Sequence, residues 1–371
     1  MKVLQLMSSR GWSSDAYLAA RMTHDLTRRG HEVWLGCRRG SDERVIARAR
    51  AEGVERVVTF AFRGGLSPAA DAADVSRLLR WLHGVDTVHV HRGKEHWLAA
   101  VANRLSRTPR PIVRTRHIVQ AVRPHAANRW LYRHATALVH TVTEAMRRQY
   151  IAADLVPAER IVTLPGGVDA HRFRPAPADP RLRARLGAGE GMMLVGVVGG
   201  LRVMKGHHVL IEAAASLTAR HQRLRLVFVG RGSMEASIRA ALRRHRLEAS
   251  VTLAGFIEDL PAVMAALDVA LYVPVESEGM SRVVFEYLAS GCPLIAARVG
   301  VVPEVLIDRE HALLVPAGDA PALGMALSEM LDDPALRRRL ATGGRSLVER
   351  RFAGSRLAEA LEQHYGRLAR A

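Results

Sequence analysis

Short runs of β-branched and aliphatic residues alternate with amphipathic stretches from the first residue onward. Lys2–Met7 reads as a strand, Asp15–Arg29 as a helix closed by Gly30, and Glu32–Cys37 as a second strand. Strand-like runs recur at Arg56–Phe60, Thr87–Val90, Ile112–Thr115, Ala137–Thr141 and Ile161–Leu164, with helical patterns between most of them. The rhythm breaks where Phe173–Pro180 carries three prolines and Gly187, Gly189 and Gly191 follow. It restarts at Met192–Val198 and continues through Arg225–Val229, Val251–Leu253, Val269–Val273, Leu294–Ala296 and Leu313–Val315. Helices are expected near Asp319–Leu331, Pro334–Arg350 and Ala353–Arg370. Strands that alternate with helices imply βαβ units and parallel sheets. The pattern therefore predicts an α/β protein of two Rossmann-like, doubly wound domains facing a central cleft. Their expected limits are residues 1–171 and 192–350, with a linker over 172–191 and a final helical segment over 351–371.

Composition agrees with that plan. A chain of 371 residues with 49% apolar positions suits two domains with filled cores. No apolar run approaches the ~18–20 residues that span a bilayer. The start is too short for a secretion signal, and two cysteines, Cys37 and Cys292, supply no disulfide framework. A cytoplasmic setting is expected. Charge changes the picture more. The net charge is +18, and only Lys2, Lys94 and Lys205 among the 54 cations are lysines. Residues 1–180 hold 29 cations and 16 anions, and no acidic residue lies between Glu95 and Glu144. Such an excess points to phosphates, nucleic acid or anionic lipid. Its competitor is an arginine bias spread over solvated helix faces.

Five constellations carry candidate chemistry. In Pro274–Pro293, Glu278 lies in a loop after a strand and Glu286 lies in the helix that follows, with Ser281 at its N-cap position. Amides of Gly279, Met280 and Ser281 would face an anionic or hydroxyl-rich ligand there. Gly199-Gly200-Leu201-Arg202-Val203-Met204-Lys205-Gly206 follows the first strand of the second domain; its Arg fork and Lys point charge suit a diphosphate. Gly230-Arg231-Gly232 also follows a strand, but Glu235 stands at the third glycine position of a dinucleotide fingerprint. In the first half, His89 and His91 end one strand and His117 ends another, where imidazole can orient a hydroxyl or stabilise an oxyanion. A zinc reading of His89, His91 and His96 lacks a completing carboxylate or cysteine. The loop holding Arg10 and Gly11 would lie near a bound phosphate.

In this order the motifs resemble the retaining GT-B glycosyltransferases of family 4, the glycosyl transferases group 1. The matching residues are Gly200–Gly206, Val229–Gly232, Ala254–Phe256 with Asp259-Leu260, Glu278 with Glu286, Gly291–Pro293, Pro303-Glu304 and Leu314–Asp319. Arg29–Val33, His89–His91, Arg116-His117 and Leu164–Asp169 agree more loosely. The resemblance implies that Arg202 and Lys205 hold the donor diphosphate while the Gly11 loop closes over it. Gly200, Gly230, Glu278 and the amides of Gly279, Met280 and Ser281 would complete the donor site, and Glu286 would bind the ribose. His117 would lie beside the anomeric carbon, making His117, Glu278, Arg202 and Lys205 the catalytic set. It further implies an acceptor-side first domain, to which the last helix crosses back, and no metal or other cofactor. Tyr287, Ser281-Arg282, Val301-Val302 and Ala312 depart from the usual pattern, as does the lack of a glycine pair in the first loop.

The expected function is transfer of a hexosyl-type sugar from a nucleotide-diphosphate sugar to a glycan or glycolipid hydroxyl, in lipopolysaccharide or other cell-surface polysaccharide synthesis. Arg10, His91, Arg123, Arg129 and Arg133 are candidate acceptor or membrane contacts, consistent with a peripheral place on the inner face of the plasma membrane. A sugar-nucleotide epimerase or sugar phosphorylase on the same fold is the alternative. A nucleic-acid binder is disfavoured by 5% aromatics and the lack of a stacking or DNA-binding motif.

Overall fold

The computed structural model of the chain describes residues 1–218, 220–276 and 279–370, without the side chains of residues 42 and 43. It divides into two units, residues 1–167 with 353–371 and residues 168–352.

In the first unit seven parallel strands lie in the order β3-β2-β1-β4-β5-β6-β7. They are β1 (Lys2–Met7), β2 (Glu32–Arg38), β3 (Val57–Phe60), β4 (Thr87–Val90), β5 (Ile112–Arg116), β6 (Leu138–Thr141) and β7 (Ile161–Thr163). Helices cover a parallel sheet on both faces, so its strands read as almost unbroken apolar runs. Side-chain alternation then separates two clusters: Leu4 and Leu6 join Phe60, Val88 and Val90, while Met7 joins Leu35 and Cys37. β1 pairs with β2 at Val3↔Val33 and with β4 at Val3↔Thr87, so the strand order reverses between β1 and β4. The last helix, Gly354–Leu368, buries Leu357, Ala358, Leu361 and Tyr365 in this unit, and its Glu362 pairs with Arg29 at 2.5 Å and His31 at 3.3 Å.

The second unit repeats the plan with six parallel strands in the order β10-β9-β8-β11-β12-β13. These are β8 (Met193–Val198), β9 (Leu224–Val229), β10 (Val251–Gly255), β11 (Val269–Tyr272), β12 (Leu294–Ala297) and β13 (Leu313–Val315). Here the order reverses between β8 and β11. In both units the loops after the strands at this reversal form the crevice where such sheets take ligands.

The segment expected as a linker differs. Residues 172–191 lie within the second unit and contain the helix Pro180–Arg185, started by the Asp179 side chain accepting from the Arg181 amide. Phe173, Leu186 and Ala188 are buried, and Arg183 donates to the Ala266 carbonyl at 2.6 Å and to Asp268 at 3.0 Å. Its prolines and glycines shape turns of a packed segment. Asp179-Pro180 was its readable helix start.

Candidate functional site

In the second unit, three loops are joined backbone to backbone at the carboxyl ends of β8, β9 and β11. Gly230 has φ +151°, and a Cβ there would lie 1.9 Å from the Gly199 carbonyl oxygen. At Gly206, φ +70°, a Cβ would lie 1.9 Å from the Val273 carbonyl oxygen. Only glycine permits both approaches. Hydrogen bonds complete the joint: Leu201 N–H to Arg231 O at 3.1 Å and Val275 N–H to Met204 O at 2.9 Å. The two candidate cations lie along this seam. A Cβ on Gly199 would be 3.6 Å from Lys205 Nζ, and one on Gly200 would be 3.5 Å from Arg202 Nε. Arg202 is exposed and Lys205 half-buried, at the entrance to the helix His207–Leu217. The pair is thus held on a rigid backbone knot, at a positive helix end.

Glu278 lies outside the described residues. Gly279 has φ +78° and its carbonyl accepts from Val301 N–H at 3.1 Å, while the Met280 side chain is buried. Ser281 occupies the N-cap position of the helix Arg282–Ala289, as the sequence suggested, but its side chain does not cap. It adopts φ +50°, and its hydroxyl meets that of Tyr272. Glu286 is 2% exposed and is paired with Arg282 Nε at 2.8 Å, so this buried carboxylate is compensated within its own helix. Arg282 thus faces Glu286 in place of solvent. Tyr287 is buried away from the ligand face; its hydroxyl accepts the Val198 amide at 2.6 Å. β8 and β11 pair only through Val195 and Gly196, and the phenol holds the end of β8 where the strands part. Burial raises its pKa well above the usual phenol range, so it remains neutral.

The first unit presents imidazoles instead. His140 Nε2 lies 2.8 Å from the Leu164 carbonyl, which only accepts, so that nitrogen bears the proton. His140 Nδ1 then accepts from the Thr115 hydroxyl at 2.9 Å, which in turn accepts from His89 Nε2 at 2.6 Å. His89 Nδ1 is left to accept from the Tyr365 hydroxyl at 2.5 Å. One directed chain therefore crosses β6, β5 and β4 and ends on the last helix. Both nitrogens of His89 are engaged, which leaves it no lone pair for a metal. Burial lowers the pKa of His89 strongly and that of His140 to about 4, so both are neutral at physiological pH.

A second chain begins at Gln5, which is fully buried in β1. Its Oε1 lies 2.6 Å from His91 Nε2, so that nitrogen donates. Burial, then the neighbouring His117 and Arg114, hold His91 well below its usual pKa, so its Nδ1 is a bare acceptor. It receives His117 Nε2–H at 3.1 Å. His117 is itself kept neutral by burial and by the Arg114 charge, and it therefore presents Nδ1 as a lone pair. The candidate His91 is thus a buried link that orients His117. Sequence reasoning missed Gln5, Arg114, Thr115, His140 and Tyr365. The available signal was a polar residue inside an apolar strand, as in Val3-Leu4-Gln5-Leu6, since such a residue is buried only with a partner.

The other candidates are placed as follows. Gly11 lies in the loop before the helix Ser14–Arg28, its carbonyl accepting from Ser9 Oγ at 2.7 Å. Arg129 and Arg133 share Asp154 as counter-ion, and Arg133 Nε also donates to its carbonyl at 3.0 Å. Arg123 is exposed beside them. No helix among the described residues is long and apolar enough to cross a membrane.

Comparison with known proteins identifies the family. Residues 179–347 match the model for glycosyl transferases group 1, and residues 16–172 match that for glycosyltransferase family 4. D-inositol 3-phosphate glycosyltransferase of Kineococcus radiotolerans is 30% identical, with 92% of this chain and 87% of that protein aligned. 2-Deoxystreptamine glucosyltransferase of Streptomyces kanamyceticus is 32% identical over 66% of this chain. The chain spans 63% of that relative, under two thirds of its length. In fold, it matches Anabaena Alr3699/HepE, solved in complex with UDP, with a TM-score of 0.85 at 21% identity, covering 99% of this chain and 100% of that one. Two Rossmann-like sheets, the glycine-knotted cation loop and these matches lead to one conclusion: the chain belongs to glycosyltransferase family 4 and has the GT-B fold.

Proposed function

We propose that this chain transfers a sugar from a nucleotide-diphosphate sugar to a hydroxyl of a glycan or glycolipid acceptor, with retained anomeric configuration and without a metal ion. The reading rests on Arg202 and Lys205, two cations held along one glycine seam beside a helix N-terminus. The departing group is a nucleoside diphosphate, so the main catalytic need is to stabilise negative charge as the glycosidic bond breaks. The Arg fork and the Lys point charge meet that need without a divalent cation. Glu278 and the amides of Gly279, Met280 and Ser281 bind the sugar hydroxyls, and the Arg282-compensated Glu286 binds the ribose. His117 offers Nδ1 to a hydroxyl near the reacting carbon. Retention then follows front-face attack, in which the acceptor hydroxyl passes its proton to the departing phosphate oxygen and no side chain acts as a dedicated base.

Relatives named as glycosyltransferases support sugar transfer, and the HepE complex makes UDP the first nucleotide to try. Synthesis of lipopolysaccharide or another cell-surface glycan at the inner membrane face is the finer reading, supported by exposed Arg123 beside Arg129 and Arg133. Calorimetric titration with UDP, GDP and ADP, followed by a mass-spectrometric screen of their sugars, tests the proposal. Lys205→Ala is expected to weaken the preferred nucleotide about 10–100-fold, the weight of one charge-assisted contact. If no nucleotide binds, or Lys205→Ala and Glu278→Ala leave transfer unchanged, the proposal fails. Product released without any acceptor would instead favour the epimerase reading.

A further inference from the structure

The first unit holds a cavity of about 430 Å³ at the carboxyl ends of β3, β2, β1 and β4. Five cations line it: Arg10, Arg38, Arg63, Arg92 and Lys94. Two of them carry their own counter-ions. Arg92 Nε lies 2.6 Å from Asp15, and Lys94 Nζ lies 2.6 Å from Asp71. Arg10, Arg38 and Arg63 make no ion pair among the described residues. Among the described residues, three guanidiniums without a carboxylate partner thus face one crevice, on the side of a parallel sheet that takes ligands.

Their placement is built into the backbone. Arg38 is the last residue of β2. Arg63 follows a turn in which the buried Asp74 carboxylate accepts the amides of Ala61 and Phe62, each at 2.8 Å, and holds Phe62 at φ +38°. Arg10 leans over Gly64, where an added Cβ would lie 2.5 Å from its Nη2. Ser9, 2% exposed, fixes the loop behind Arg10 through the Gly11 carbonyl.

We infer that the acceptor of the transfer carries a phosphate ester, and that Arg10, Arg38 and Arg63 seat it in this cavity. The inference rests on the sugar-transfer reading above and adds the chemical class of the acceptor. A dianionic phosphate matches three planar forks better than a single carboxylate does, because Arg binds phosphate oxygens in pairs. The rest of the cavity receives the body that carries the phosphate. The phosphate itself is seated in this crevice and not at Arg129 and Arg133, because those two already share Asp154. The phosphate belongs to a soluble sugar or polyol phosphate or to a lipid headgroup, and the two sources are separable.

Glycerol 1-phosphate titrated into the full chain by calorimetry represents the soluble source. Sedimentation with phosphatidylcholine vesicles, with and without phosphatidic acid, represents the lipid source. UDP is titrated in parallel. Each Arg→Gln substitution is expected to lower phosphate affinity about tenfold, so Arg10→Gln/Arg38→Gln/Arg63→Gln loses a hundredfold or more. The corresponding triple Lys variant retains binding within about tenfold, and UDP affinity changes less than twofold in both. Gly64→Ala, which displaces the Arg10 guanidinium, lowers phosphate binding alone. The inference is overturned if wild type binds neither phosphate probe, if the triple Gln variant binds them as wild type does, or if UDP binding falls in step, which would make the cavity part of the donor site. Intact glycerol phosphate binding in a chain that binds no nucleotide would sustain the pocket and sink the transfer reading.

Discussion

The two units share one plan and use it oppositely. Each has a parallel sheet whose order reverses beside its first strand, at β1/β4 and at β8/β11. In the second unit the loops at that point are knotted by glycines against carbonyls, and permanent cations lie on the knot. In the first unit the corresponding strand ends carry neutral imidazoles joined by directed hydrogen bonds, with fixed arginines at the crevice beyond. A permanent charge suits a diphosphate that is anionic throughout. A neutral imidazole of fixed tautomer suits a hydroxyl whose proton must be accepted or oriented. The same topology thus separates a charge-holding half from a proton-ordering half.

Acid should break this comparison most strongly. His89, His91, His96 and His140 are buried in the first unit, each with its pKa lowered by burial. Below the unfolded value of 6.5 the unfolded chain binds protons that the folded one refuses, so stability falls as pH drops toward the folded pKa. For His140, lowered to about 4, the loss is ~3 kcal/mol by pH 4, since 2.5 pH units at ~1.36 kcal/mol each are at stake. In the second unit the buried counterparts are His207, also lowered to about 4, and His311, lowered by burial against the opposing Glu310 charge. Hydrogen exchange followed from pH 7 to pH 4.5 should therefore show β4–β6 losing protection before β8–β12. Simultaneous loss in both units would contradict the assignment.

A smaller effect should appear in the second unit alone. Gly230→Ala puts a Cβ against the Gly199 carbonyl at φ +151° and should cost about 2–4 kcal/mol. Urea unfolding followed by exchange should shift the second unit's transition and leave the first unit's in place. An unchanged midpoint would mean that the loops are not knotted as described.

This contrast also explains what could be read from the sequence. Gly199, Gly200, Arg202, Lys205 and Gly206 fall within eight residues, so backbone geometry and charge placement share one short stretch. The strand pattern was similarly local, and both sheets follow it. The first unit's two chains draw on Gln5, His91, Thr115, His140 and Tyr365, from four elements and the loop after β4, and Tyr365 lies 276 residues from its partner His89. No local pattern announces such partners. Arg282 and Glu286 show an intermediate case: their i,i+4 spacing was visible, but the burial that turns a surface pair into a compensated carboxylate was set by tertiary packing. The supposed linker failed for the converse reason, since its prolines and glycines are equally at home in packed turns.

The smallest expected energetic effect gives the sharpest test of the proton-ordering half. Gln5→Met removes the carbonyl that fixes the proton on His91 Nε2. The chain can then reverse: His91 donates from Nδ1 to His117 Nε2, and His117 carries its proton on Nδ1. Because a hydrogen bond is kept in either direction, the cost in stability is about 1 kcal/mol. The tautomer nevertheless changes, and with it the role of His117 from acceptor to donor. Long-range proton–nitrogen correlation spectra of histidine-labelled protein distinguish protonated from bare ring nitrogens. Wild type should show His117 protonated on Nε2, and Gln5→Met should move a substantial share of the proton to Nδ1. His89 and His140 serve as internal controls, because the Leu164 carbonyl orders their chain independently of Gln5. A wild-type His117 already protonated on Nδ1, or a spectrum unmoved by the substitution, would show that Gln5 does not set the tautomer.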